Sequence, residues 1–190
     1  MRIIGGSAKG KNLFSPSDKT RPTSDRAREG LFSSLESEFG SMRDLAFLDL
    51  FAGSGAVCVE ALSRGANLVV AVESHQPTTK IIEKNFNLVN QASGKYEVEN
   101  LDVMKFVASP NNNFDIIFID PPYELENKSI EKILREIAVN NLLKPNGIIA
   151  IERDSKSKEF IWPAPLAQTK VRSYGQGSIY YGGYSASVSL

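Results

Sequence analysis

Short apolar runs alternate with stretches of helical periodicity along most of this chain. Residues 46–51, 68–73 and 114–120 are apolar enough to be strands, and Phe114-Asp-Ile-Ile-Phe-Ile reads as a central one. Between them the spacing predicts helices over 56–64, over 78–90 just past Pro77, and over 130–139. A short strand is predicted at 98–101, a short helix at 103–108 and a further strand at 148–152. Strands buried on both faces and each followed by a helix imply a parallel sheet covered by helices, an α/β fold that is open and doubly wound.

The two ends of the chain break this rhythm. Leu31, Phe32, Leu35 and Phe39 recur at helical spacing over 25–39, behind a Pro22-Thr-Ser start signal. Before that helix, Gly5-Gly6, Gly10 and Pro16 surround the runs Arg2-Ile-Ile and Lys11-Asn-Leu-Phe, which suits a small hairpin or an extended arm. At the far end, residues 168–174 and 178–181 flank Gly175-Gln-Gly177 and read as a closing hairpin, adding antiparallel strands at one edge of the sheet. Pro163-Ala-Pro165 reads as a loop rather than a linker. The expectation is one domain overall, with residues 1–22 as a basic N-terminal arm or hairpin and 23–190 as its body.

Composition narrows the class without naming a function. The 190 residues are 42% hydrophobic and 23% charged, the profile of a globular chain with a core of its own. One cysteine, Cys58, and one histidine, His75, can form neither an internal disulfide nor a structural zinc site by themselves. The opening Met1-Arg-Ile-Ile-Gly-Gly lacks the apolar core of a signal peptide, and no apolar run approaches the ~20 residues that span a bilayer, so a cytoplasmic protein away from membranes is expected. Basic and acidic residues balance at 22 each, but not evenly. Residues 1–30 carry a net charge of +4, residues 31–151 a net of −6 and the remainder +2. A basic leading segment on an acidic body is an asymmetry that can meet phosphate, and equally an ordinary solvated loop.

In a doubly wound sheet, ligands bind beyond the carboxyl ends of the strands, and four such ends carry distinctive residues. In Asp49-Leu-Phe-Ala-Gly53-Ser-Gly55 a strand runs into a glycine-rich turn and a helix; the glycines serve either a tight turn or the approach of backbone to a ligand. The dinucleotide fingerprint G-x-G-x-x-G is broken, because Cys58 stands in the place of its third glycine. Glu73 ends the next strand, where a carboxylate accepts both hydroxyls of a ribose or favours a helix dipole. With the glycine turn it tilts the reading to a nucleoside. In Asn100-Leu-Asp102-Val103, Asp102 either receives the amine of an adenine, with Leu101 or Val103 on its face, or caps a helix.

The fourth end, Asp120-Pro121-Pro122-Tyr123, is the most specific. Two prolines stop the strand and leave rigid carbonyls beside a carboxylate and an aromatic ring. Those parts suit methyl transfer to an aryl amine, whose lone pair is delocalised into its ring and must be localised before it attacks. Asp120 and the Pro121 carbonyl accept the two amine hydrogens, and Tyr123 stacks on the base.

The chain resembles the RsmD-type family of 16S rRNA guanine-N2 methyltransferases. The resemblance is carried by Lys9-Gly-Lys, Arg21-Pro-Thr-Ser-Asp-Arg-Ala-Arg-Glu29, Asp49-Leu-Phe-Ala-Gly-Ser-Gly55, Glu60-Ala-Leu-Ser-Arg-Gly65 and Asp120-Pro-Pro-Tyr123. It implies the Rossmann-like, seven-stranded class I S-adenosylmethionine-dependent methyltransferase fold with an N-terminal arm or hairpin. S-adenosylmethionine would be held by Gly53 and Gly55, with Glu73 at the ribose, Asp102 near the adenine and Asp49 beneath the methionine part. Phe51, Ser74 and Val103 complete that set. The resemblance further implies that Asp120, Pro121 and Tyr123 act on a guanine amine with Pro122 beside it. Arg2, Lys9, Lys11, Arg21, Arg26 and Arg28 would engage 16S rRNA in a small-subunit assembly particle, the enzyme acting as a monomer and without a metal.

Other residues are read more plainly. Cys58 is a packing residue, His75 faces solvent, Glu152 is a second acid on the substrate side, and most of Trp162, Tyr174, Tyr180, Tyr181 and Tyr184 pack at the sheet edge. Three rival functions stand beside the first: an adenine-N6 methyltransferase on DNA or RNA, a ribosome-assembly module without turnover, and an NAD-dependent oxidoreductase. Cys58 in the fingerprint and the lack of an evident acid or base for hydride transfer weigh against the last.

Overall fold

The computed structural model describes residues 1–15, 24–90 and 92–185. Seven strands form one sheet in the order β3-β2-β1-β4-β5-β7-β6. They are β1 (Ala46–Asp49), β2 (Leu68–Val72), β3 (Lys95–Glu99), β4 (Phe114–Ile119), β5 (Leu143–Asp154), β6 (Leu166–Tyr174) and β7 (Gly177–Tyr184). The first five are parallel, whereas β7 runs antiparallel to β5 and β6 antiparallel to β7. The helices are α1 (Asp25–Phe39), α2 (Ala56–Ser63), α3 (Gln76–Phe86), α4 (Val103–Ala108) and α5 (Asn127–Val139). The fold class read from the sequence is the one observed.

Alternate residues of the central strands enter opposite cores. Phe47, Val69, Ala71, Ile116 and Phe118 pack with Leu31, Phe32 and Val57, on the side of α1 and α2. Leu48, Val70, Val72, Ile117 and Ile119 pack with Ile133, Leu134 and Ile137 of α5. A strand covered on both faces needs apolar residues at every position, which is why these segments lack the polar alternation of a half-exposed strand. The chain turns back at β1, which has β2 on one side and β4 on the other, so the crevice of the fold opens beyond the ends of β1 and β4.

Several boundaries differ from expectation. The third strand lies at Lys95–Glu99 rather than 98–101; it is an edge strand with exposed side chains, and the apolar cue Leu101 falls in the following exposed loop. Helix α3 includes Pro77 instead of starting after it, since a proline in the first turn lacks only an N–H that has no partner there anyway. Strand β5 begins at Leu143, because Lys144-Pro-Asn-Gly147, a breaker by composition, is absorbed as an irregularity in the pairing with β4 between Phe114 and Ile116.

The N-terminal segment is a hairpin packed onto the body. Arg2 bridges Asn12, Ile3 N–H donates to Lys11 O at 3.0 Å, and Ile3, Ala8 and Leu13 are buried. The Glu60 carboxylate accepts the N–H groups of Ile4 and Gly5 at 2.8 and 2.7 Å, and Ser63 Oγ accepts that of Ala8 at 3.0 Å. Arg28, expected at the RNA surface, is buried instead. Its side chain is 0% exposed, bonded to Asp25 at 2.9 Å and to the Arg2 carbonyl, with its Nε 3.8 Å from Glu60. It sits one helical turn after the Ser24 cap, on the inward face beside Leu31 and Phe32, so α1 buries it. Arg21 lies outside the described residues.

Candidate active site

The ends of β1, β2 and β4 converge on one cavity of about 630 Å³, within the range of small-molecule sites. Asp49, Phe51, Gly53 and Ser54 line it from the first strand end, Glu73 and Ser74 from the second, and Asp120, Pro121, Pro122, Tyr123 and Glu124 from the third. The register explains the meeting of Asp49 and Asp120. Asp49 pairs with Phe118 across β1 and β4, so Asp120 emerges two residues further along the same edge.

The glycine turn divides its work. Gly53 has φ +52° and open space where a side chain would project, and it lines the cavity. Gly55, with φ +76°, caps α2, and an added Cβ would press on Ile82 at 2.9 Å; it serves the turn and the packing of α3, not the cavity wall. Glu73 is oriented by the same turn: Gly53 N–H donates to its Oε2 at 3.0 Å and His75 N–H to its Oε1 at 2.8 Å. Two backbone donors hold the carboxylate at the cavity edge and leave it with lone pairs for a ligand's hydroxyls.

Asp49 is 1% exposed. It accepts Phe51 N–H at 3.2 Å and the Cys58 thiol at 3.4 Å, both long contacts, and among the described residues no cation pairs with it. Burial pushes its carboxyl up to about 7; the two hydrogen bonds pull the other way, and the charges of Asp120 and Glu73 push it further. Burial likewise holds the Cys58 thiol well above its ordinary range, in keeping with a packing residue rather than a nucleophile. Five carboxylates, those of Asp49, Glu73, Asp120, Glu124 and Glu152, therefore line one cavity that no described lysine, arginine or histidine side chain lines. S-adenosylmethionine carries an ammonium and a sulfonium, so its charge answers this arrangement and its ribose answers Glu73.

The Asp120 loop is anchored from beneath. Leu125 N–H donates to Pro122 O at 2.9 Å, and the buried Arg153 of β5 donates to Leu125 O at 2.9 Å. Arg153 also feels the attraction of Asp120, although burial lowers its own pKa. Pro121 is buried while Tyr123, 51% exposed, projects at the mouth. An acid, a fixed carbonyl and a presented ring can hold a planar amine edge-on to a donor.

Not every expected residue reaches the cavity. Asp102 caps α4, its Oδ1 accepting Met104 N–H at 2.9 Å, and neither it nor the buried Val103 belongs to the lining. Its neighbour Asn100 does reach over, donating to the carbonyls of Glu73 and Ser74 at 2.9 and 3.0 Å. His75 is exposed, as expected, with Nδ1 2.8 Å from Thr78 Oγ1. Glu152 lines the cavity. Arg2, Lys9, Lys11 and Arg26 are all exposed, and Lys11 Nζ also donates to Leu88 O at 2.7 Å. Sequence reasoning missed a wall made by Met1, Ser15, Ser24 and Tyr174. Tyr174 crosses from β6 to lie over Gly30, where any side chain would collide with its ring. A glycine inside a helix otherwise rich in side chains was the available signal.

A doubly wound sheet that ends in an antiparallel hairpin, with an acid-ringed cavity at its switch point and an Asp-Pro-Pro-Tyr loop on its rim, defines a class I methyltransferase fold. The sequence model of the family described as "Conserved hypothetical protein 95" matches residues 1–182. The chain is 34% identical over 178 residues to the Haemophilus influenzae protein named ribosomal RNA small subunit methyltransferase D, covering 92% of this chain and 89% of that one. It is 38% identical over 153 residues to the Escherichia coli protein of the same name, covering 80% and 71%. The solved structure of the Escherichia coli protein yhhF superposes with a TM-score of 0.83 at 30% identity, covering 98% of both chains. The chain belongs to this family, the RsmD-type methyltransferases.

Proposed function

We propose that this protein transfers the methyl group of S-adenosylmethionine to the exocyclic N2 amine of a guanine in 16S rRNA. It would act in the cytoplasm, as a monomer, on an assembling small-subunit particle. The observation that carries the reading is the opening of the Asp120-Pro-Pro-Tyr123 loop into the same cavity as Asp49 and Glu73. Ribosomal RNA as substrate is supported by the small-subunit relatives at 34% and 38% identity, and guanine N2 by the resemblance of the whole chain to the RsmD type. Among the described residues no helix is long and apolar enough to cross a membrane.

When bound, S-adenosylmethionine supplies an electrophilic methyl group on a sulfonium. The residues then have separable tasks. Glu73 accepts the ribose hydroxyls, and Asp49 faces the ammonium. Asp120 and the Pro121 carbonyl accept the two hydrogens of the guanine amine, which localises its lone pair toward the methyl carbon. Transfer would leave the donor as the neutral thioether S-adenosylhomocysteine; Asp120 would stabilise the positive charge that develops on the amine nitrogen, whose proton passes to solvent. Tyr123 stacks on the base, which must be unpaired to reach the loop.

Incubation of the protein with labelled donor and small-subunit particles, followed by mass-spectrometric mapping, should place one methyl group on a guanine N2. Asp120→Ala should lower turnover at least hundredfold, by about 3 kcal/mol, with donor affinity nearly unchanged. Label on adenine N6, or donor binding with no methylated product on any nucleic acid, would replace this reading with one of its rivals.

A further inference from the structure

Of the ten phenylalanines in the chain, only Phe14 is exposed, at 53%. Its backbone is nonetheless fixed. Asn85 of α3, itself 0% exposed, accepts Phe14 N–H on Oδ1 at 2.8 Å and donates from Nδ2 to Phe14 O at 2.9 Å. The second hydrogen of that amide goes to Ser54 O at 2.8 Å, in the middle of the glycine turn. One buried side chain, with its donors and its acceptor in use, ties the exposed phenylalanine to the cavity's glycine turn. The preceding residue, Leu13, is buried in the core, and the following one, Ser15, lines the cavity. Phe14 thus adjoins the cavity through Ser15, on a backbone held from both sides.

We infer that Phe14 is a stacking platform for an unpaired RNA base next to the one held by the Asp120 loop; this rests on the proposed rRNA substrate. A ring kept in water costs hydrophobic free energy, and the backbone bonds that tie the hairpin to α3 and the glycine turn do not themselves call for an aromatic side chain at this position. Stacking gives the exposed ring a use, since a platform on a rigid backbone has only two side-chain torsions left to fix when it meets a base. Turning a guanine out of its stack also strips a neighbour of its partner, and that neighbour gains most from a ring beside the cavity. The same hairpin presents Arg2, Lys9 and Lys11, all exposed, to the phosphates on either side. Tyr123 and Phe14 would then receive successive bases of one strand.

The test compares Phe14→Ala, Phe14→Leu and Phe14→Trp for affinity to a transcript of small-subunit rRNA and to purified small-subunit particles, with donor affinity measured in parallel. Alanine and leucine should weaken RNA binding about fivefold or more, and tryptophan should hold or tighten it. S-adenosylmethionine affinity should stay constant in all three. Unchanged RNA affinity in the alanine variant, full retention by leucine, or loss of donor affinity would each overturn the inference. Loss confined to the particle, with the transcript bound normally, would assign Phe14 to a protein partner instead and equally overturn it. Binding is read without turnover, so a wild-type protein that binds RNA through Phe14 yet methylates nothing would refute the enzymatic reading while upholding the platform.

Discussion

Among the described residues two carboxylates are almost wholly removed from water, and they are treated in opposite ways. Glu60, in the middle of α2, is 0% exposed and surrounded by donors: the N–H groups of Ile4 and Gly5, the Arg64 Nε at 2.9 Å and the Arg28 Nε at 3.8 Å. Asp49, at the end of β1, is 1% exposed and receives one long backbone contact and a thiol, with two further acids close by. The first is compensated from within the chain. The second is left in want of positive charge, beside a cavity that can admit a ligand that carries it. The difference separates a carboxylate that builds the fold from one that serves a site.

The largest effect should come from breaking the compensated side. Glu60→Ala removes a partner of the buried Arg28 and the two acceptors that fasten the N-terminal hairpin, so unfolding should become easier by about 3–5 kcal/mol. The urea midpoint, followed by circular dichroism, would fall accordingly. A midpoint that stays in place would mean that the Arg28–Glu60–Arg64 cluster contributes nothing net and that the contrast with Asp49 is empty.

Asp49→Asn should behave in the reverse manner. The substitution keeps an acceptor for Phe51 N–H and removes a charge that the folded state accommodates poorly, so stability at neutral pH should hold or rise. Donor affinity should instead fall about tenfold, near 1.4 kcal/mol, as read by titration calorimetry. A variant that unfolds as readily as Glu60→Ala and binds the donor normally would make Asp49 a structural residue.

This division was only partly legible in the sequence. The continuous apolar runs at 46–51 and 114–120 announced strands covered on both faces, and position at a strand end singled out Asp49, Glu73 and Asp120 because that rule of the fold needs no side-chain detail. Burial of individual charges was not readable in the same way. Arg28 follows Asp25 by three residues at the start of a helix, a spacing shared by any solvated helix face, and only the hairpin folding back from Arg2 to Leu13 shows that this face is covered. The Glu60 and Arg64 spacing of four residues was visible, yet its partners Ile4 and Gly5 stand 56 and 55 positions away. The wall made by Ser24 and Tyr174 was hidden for the same reason. Contacts between distant segments leave no periodic trace, whereas strands, helices and the ends of both do.

The smallest expected change in affinity is also the most particular to Asp49. Its carboxyl titrates at about 7 in the folded protein against an ordinary value near 3.8. Between those values the folded state keeps a proton that the unfolded chain has released. The contribution of Asp49 to stability is therefore fully present below about pH 4 and is lost as the pH rises through 7. From pH 5 up to about 7 the stability difference between wild type and Asp49→Asn should shift toward the variant and then level off, whatever the other carboxylates do to both. Donor binding should carry the opposite slope. A cationic ligand favours the ionised carboxylate, so its affinity should rise on the order of fivefold between pH 6 and 7.5, with proton release, and should be flat over that range in Asp49→Asn. Calorimetry in two buffers of different ionisation enthalpy reads the released proton directly. Equal pH dependence in the two proteins would show that Asp49 is not the group whose ionisation the donor reads.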